Sequence, residues 1–200
     1  MSDAAAIPQN ETWILPSRGI VGMACLITAE SAIFLIFVVA YLYYSGKSLT
    51  GPSPREVLEL PIFTSICLFS SSATIHFATS ALHRAARGAT SLCLAATVLL
   101  GAIFLGGTAN EWYHLMVYDH LTIQTNLFGT TFYSLVGLHA SHVIVGLILL
   151  SLALVFSLSG SLTREHTSRL EVLALYWHFV DAVWIVVFTV VYIVGRKREE

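Results

Sequence analysis

Five apolar runs, roughly residues 19–44, 60–82, 91–110, 128–158 and 170–194, decide what this chain can become. Each is close to or beyond the ~20 residues that a helix needs to cross a bilayer. Inside hydrocarbon every backbone N–H and C=O must be satisfied within the protein, so spanning structures are helices or closed barrels. These runs are continuous and lack the alternation of a barrel strand. The expected fold is therefore all-α, an integral membrane five-helix bundle forming a single domain over residues 18–195. A polar arm, residues 1–17 with Trp13 as an interfacial anchor, precedes it, and a charged tail, residues 196–200, follows. Composition agrees: 56% of the residues are hydrophobic and 11% charged, too apolar for a water-soluble globule of this length.

A net charge of −2 gives no footprint for nucleic acid. The first 17 residues are polar and carry no Lys or Arg, so no signal peptide is expected and the N-terminal end is expected to remain in the mature protein. Cys25, Cys67 and Cys93 fall in three separate runs without paired spacing, which suits small buried hydrophobes better than thiolate ligands. Charge leaves the orientation open. Arg18, Arg84, Arg87, Arg164 and Arg169 would lie on the N-terminal side, and Lys47, Arg55, Arg196, Lys197 and Arg198 on the other, five against five.

Ionisable residues within these runs are the candidate functional groups, because burying them in a bilayer costs several kcal/mol unless protein or water faces them. Glu30 sits about 16 Å into the first run at ~1.5 Å per residue, near the midplane. It reads as a proton-relay or lipid-contact residue, or as a carboxylic acid bonded to Thr28 or a neighbouring helix. His139 and His142 share a face of the fourth helix. With no third or fourth ligand evident, they read as packing histidines hydrogen-bonded to nearby serines rather than as a metal site. Gly137 and Ser141 form a small-xxx-small pair for a close helix contact.

In the fifth run Glu171, His178 and Asp181 fall on one stripe. Glu171 and His178 are within about 20° and Asp181 about 60° further round. Ser168 to Glu171 also reads as a capping box. His76 and His178 lie at similar depth, which raises a bis-histidine haem as an outside possibility. Glu111, following the third run, and Trp112 read as interfacial. Trp177 and Trp184, seven apart, read as aromatic bulk packed against another helix or subunit.

Four ordered stretches carry a family resemblance. Tyr176-Trp177-His178-Phe179-Val180-Asp181-Ala182-Val183-Trp184 resembles the closing signature of haem–copper oxidase subunit III. Phe132 to Gly146 is similar to that family's Gly-x-His-x-x-His-Val block, Thr28-Ala29-Glu30-Ser31 to its Ser-Glu segment, and Asn110-Glu111-Trp112-Tyr113 to its Glu-Tyr element. The resemblance runs from about residue 19 to 195. It implies a non-catalytic subunit of a proton-pumping terminal oxidase that reduces dioxygen to water. Such a subunit carries no haem or copper and no metal of its own. It packs on subunit I, which holds those centres, with subunit II and small subunits in the same complex.

The resemblance further implies a bacterial plasma-membrane location, an N-terminus on the cytoplasmic side and a periplasmic C-terminus. It places Glu30 at the family's buried glutamate, tied to proton uptake and lipid, and His139, His142, His178 and Asp181 at its packing and hydrogen-bonding positions, a polar network that Glu171 joins by its place on the stripe of the fifth run. Structural phospholipid is expected, and cytochrome c is the expected donor ahead of quinol.

Two features depart from the longer family members. Their first two helices, which enclose a lipid cleft, have no counterpart, and Thr79 and Ser80 replace their paired histidines. The rival readings are a quinol oxidase subunit, a nitric oxide reductase accessory subunit, a stand-alone proton-coupled transporter and a haem-b carrier. A transporter is disfavoured because no inverted repeat or interrupted helix is evident.

Overall fold

The computed structural model describes residues 17–47, 52 and 57–195; the polar arm with Trp13 and the tail 196–200 lie outside the described residues. Five long helices follow in order: α1 (Arg18–Tyr44), α2 (Ile62–His83), α3 (Arg87–Val117), α4 (Leu127–Leu158) and α5 (Thr167–Phe188). A short 3-10 turn, Arg164–His166, leads into α5, and a π-helical turn, Thr189–Val194, continues it. All five are long and apolar enough to cross a membrane, and no strand occurs among the described residues.

The helices α2 to α5 form a ring, each packed on the next, with α2 closing against α5. The helix α1 lies outside that ring against α4 and α5 and leaves most of its surface exposed, Cys25 included, contrary to the burial expected of that thiol.

Packing inside the ring depends on small residues and on hydroxyls that meet indole donors. Trp177 and Trp184 are fully buried and face α2. Trp177 Nε1 donates to Ser71 Oγ at 2.8 Å and Trp184 Nε1 to Ser65 Oγ at 3.0 Å. Buried among apolar side chains, an indole N–H without such an acceptor would cost a full desolvation penalty. Thr74 and Thr97 share a 2.8 Å hydrogen bond between α2 and α3. The hydroxyl-rich character of α2 thus has a structural use on its buried face.

Helix ends differ from those the apolar runs suggest where polar residues continue a helix. The helix α3 begins at Arg87 and runs on to Val117, two turns past Asn110, because Glu111 is not expelled to solvent but turned inward. The capping box expected at Ser168 does not form, since α5 already starts at Thr167. A box of that kind sits instead on the 3-10 turn, between Thr163 and His166.

The α2–α3 turn closes with Ala85 N–H to Leu82 O and Ala86 N–H to Ala81 O, the pattern of a Schellman cap. Its left-handed residue is Ala85, at φ 57, where the α4–α5 loop has Gly160 at φ 74.

Candidate functional site

Glu30 and His142 are brought together by the packing of α1 on α4. His142 Nε2 lies 3.2 Å from Glu30 Oε2, and its Nδ1 lies 2.8 Å from Leu138 O. A backbone carbonyl only accepts, so Nδ1 carries a hydrogen. One further proton must then lie between Nε2 and Oε2. It makes the pair either an imidazolium with a carboxylate or a neutral imidazole with a carboxylic acid. Glu30 is twelve residues into α1, about 18 Å along it. The Phe34 ring lies 5.0 Å from the His142 ring, and Tyr176 Oη donates to His142 O at 3.1 Å. A cavity of about 240 Å³, lined by Leu26, Glu30, Ser141, His142, Val145 and Tyr176, opens beside the pair.

The arrangement differs from the simplest sequence expectation. Thr28 and Ser31 donate back to Ala24 O and Ile27 O of their own helix, as hydroxyls inside helices do, and leave Glu30 to its partner on α4. Ser141 likewise donates to Leu138 O and is exposed, so neither histidine meets the serine partner expected for it. Gly137 makes a close contact, but with the Trp112 ring rather than with a helix backbone.

His139 and His142 point to different surroundings despite their spacing. His139 is fully buried, stacked on Trp184 with ring centroids 4.9 Å apart and edge-on to Phe104. Neither of its ring nitrogens has a hydrogen-bond partner.

The α5 stripe is also divided by its neighbours. Glu171 Oε1 meets His83 Nε2 at 2.7 Å on the partly exposed end of α2. Deeper in, His178 Nδ1 meets Ser72 Oγ at 2.6 Å. Asp181 is 5% exposed, and both its oxygens lack a partner at hydrogen-bond geometry. His76 is exposed on α2, one turn from Ser72.

Glu111 lies inside α3, six residues before its end. The hydroxyl of Tyr192, on the π-helical turn, sits 2.9 Å from each of its oxygens. Trp112 packs edge-on to Tyr133, with its Nε1 buried and unpaired, and Tyr113 and Tyr118 are the exposed aromatics beside it.

Sequence reasoning missed Ser72, Tyr192 and His83, the groups that complete these contacts. Ser72 had a legible signal: it lies one turn before His76, at the depth of His178. Among the described residues no group of three or more His, Cys, Asp or Glu is placed to hold a metal ion.

Comparison with known proteins identifies the assembly to which this bundle belongs. The family model described as cytochrome c oxidase subunit III matches residues 12–196. The chain belongs to the cytochrome c oxidase subunit III family. It is 33% identical over 199 residues to the subunit 3 of the cytochrome bo(3) ubiquinol oxidase of Pseudomonas aeruginosa, covering 98% of this chain and 95% of that one. It is 37% identical over 182 residues to cytochrome c oxidase subunit 3 of Synechocystis, covering 89% and 76%. With the quinol oxidase subunit 3 of Bacillus subtilis it shares 31% over 196 residues, covering 97% and 94%. This oxidase subunit III is thus a multi-pass membrane component of a haem–copper oxidoreductase complex, and its contacts with other oxidase subunits follow from that membership. The transporter and haem-carrier readings are set aside by the family.

Proposed function

We propose that this subunit III has no redox chemistry of its own and supports proton uptake by subunit I, on which it packs directly, through the Glu30–His142 pair. The observation that carries this reading is the 3.2 Å contact between the carboxyl of Glu30 and the imidazole of His142, about midway along their helices and beside a cavity that opens to the bundle surface. A proton shared by a carboxyl and an imidazole is exchanged with little rearrangement, because each group is a good partner for the other in either state. Intramembrane ionisable groups are functional by default.

Structural phospholipid fits the same reading. A cavity of about 430 Å³ between α4 and α5 is lined by Leu149, Leu152, Phe156, Leu162 and Leu173, with Arg169 and His166 at its loop end. Acyl chains suit the apolar wall, and a phosphate suits the arginine. Haem and copper would reside in the partner subunits. Five spans put the termini on opposite sides, with the N-terminus on the cytoplasmic side of the bacterial plasma membrane and the C-terminus in the periplasm.

Cytochrome c is the proposed donor to the complex. A quinol donor is the second reading, favoured by the two quinol-type relatives that match almost end to end. The test of the proton role is Glu30→Gln in the assembled complex. It is expected to assemble, to take up protons more slowly and to lose activity sooner during turnover. Unchanged proton uptake and lifetime would leave Glu30 a packing residue only.

A further inference from the structure

The most unusual buried group outside the Glu30 site is Asp181. It is almost completely buried at mid-span on α5, and neither carboxyl oxygen has a hydrogen-bond partner. A carboxyl in such a place marks a site for water or protons more often than a packing element. Its polar neighbour is Ser72 of α2, which acts on it from outside hydrogen-bond geometry. Ser72 Oγ is in turn 2.6 Å from His178 Nδ1. His178 is half-buried, and beyond it His76 is exposed on α2, about 10 Å from that helix's end at His83. Ser72 and His76 are one turn apart on α2 and His178 and Asp181 one turn apart on α5, and exposure falls from His76 through His178 to Asp181.

We propose that His76, His178, Ser72 and Asp181 form a proton-exchange corridor on the α2–α5 face, separate from the Glu30–His142 pair. A protonated water reaching the face gives its proton to exposed His76, which releases one through water to His178 Nε2 and returns to the neutral imidazole. His178 then releases the Nδ1 proton to Ser72 Oγ while the Ser72 hydroxyl proton passes to an Asp181 oxygen, directly after a rotamer turn or across one water. The N–H bond at Nδ1 is broken and an O–H bond on Asp181 is formed. The imidazole is left neutral as the other tautomer, and the charge that entered ends by neutralising the carboxylate.

Other titratable groups on neighbouring elements are engaged elsewhere: His139 of α4 is stacked on Trp184, and His142 is held by Glu30 of α1. An exposed imidazole at this depth also requires water or a polar partner surface against α2 rather than lipid alone.

The test is infrared difference spectroscopy of the assembled complex in lipid, with isotope-labelled aspartate, on transfer from H2O to D2O. An aspartate carboxyl band absent in Asp181→Asn is expected to shift as the proton exchanges. Ser72→Ala is expected to slow that exchange about tenfold, the effect of losing one relay hydrogen bond. Ser72→Thr, which keeps the hydroxyl, restores it, and Glu30→Gln leaves it unchanged. A band that never exchanges, or that exchanges equally fast in Ser72→Ala, overturns the corridor. Should Asp181→Asn fail to assemble, the labelled band is followed across the Ser72 variants, and equal rates in all of them overturn the proposal.

Discussion

The ring α2–α5 closes around Trp177, and Gly146→Ala tests how tightly. A Cβ at Gly146 would sit 2.6 Å from Trp177 Cζ3, 2.7 Å from Cε3 and 3.3 Å from Tyr176 Cε1. Favourable carbon contacts lie near ~3.5–4.0 Å, so two ring atoms would overlap the new methyl by nearly 1 Å. The indole cannot slide away. Its far edge already faces Gly101, where a Cβ would be 3.0 Å from Cη2, and its Nε1 is bonded to Ser71.

Overpacking of this kind costs about 1–3 kcal/mol, and a strained indole bond adds up to ~1.5 kcal/mol. Against this, alanine in a helix gains about 1 kcal/mol over glycine. The net expectation is a loss of up to about 3.5 kcal/mol. Gly22→Ala and Gly106→Ala are the controls, because their Cβ atoms meet nothing within 4 Å and should gain up to ~1 kcal/mol. The assay is unfolding of the purified chain in lipid nanodiscs by added SDS, followed by circular dichroism. If Gly146→Ala is as stable as the two controls, the wedged-indole account of the core is wrong.

Further variants probe other contacts. Ala85→Gly removes a left-handed alanine from the α2 cap and is expected to stabilise by about 1 kcal/mol in the same assay, whereas Gly160→Ala should lose a similar amount. Tyr192→Phe strips both contacts from the half-buried Glu111 carboxyl and should cost about 1–3 kcal/mol; a neutral result would mean that water replaces the hydroxyl. His83→Ala with Glu171→Ala should show a coupling below about 1 kcal/mol, since both groups are partly exposed; a larger coupling would place this pair under another subunit.

Five spans were legible because membrane helices need long apolar runs, and these carry that signal in composition alone. Their ends were less legible. Asn110, Glu111 and His114 interrupt the apolar run, yet α3 continues through them to Leu115, Met116 and Val117, with Tyr192 from a distant turn receiving Glu111. The site showed the same division. Glu30 and His142 each stood out as ionisable groups in apolar surroundings, but their pairing is 112 residues apart in sequence and depends on where α1 packs. Helical-wheel reasoning grouped Glu171 with His178 and Asp181. Depth along the helix separates them, and His83 at the end of α2 claims Glu171. His139 and His142 share a face on the wheel, yet one stacks within the ring and the other turns to α1.

Glu30 and His142 are proposed to act as one proton-holding unit. Its most direct test is a double-mutant cycle, Glu30→Gln and His142→Asn singly and together, reading proton uptake and activity lifetime of the assembled complex. Groups that share one proton fail together, so the double variant is predicted to be no worse than either single variant. Losses that simply add, or single variants indistinguishable from the parent, would contradict it.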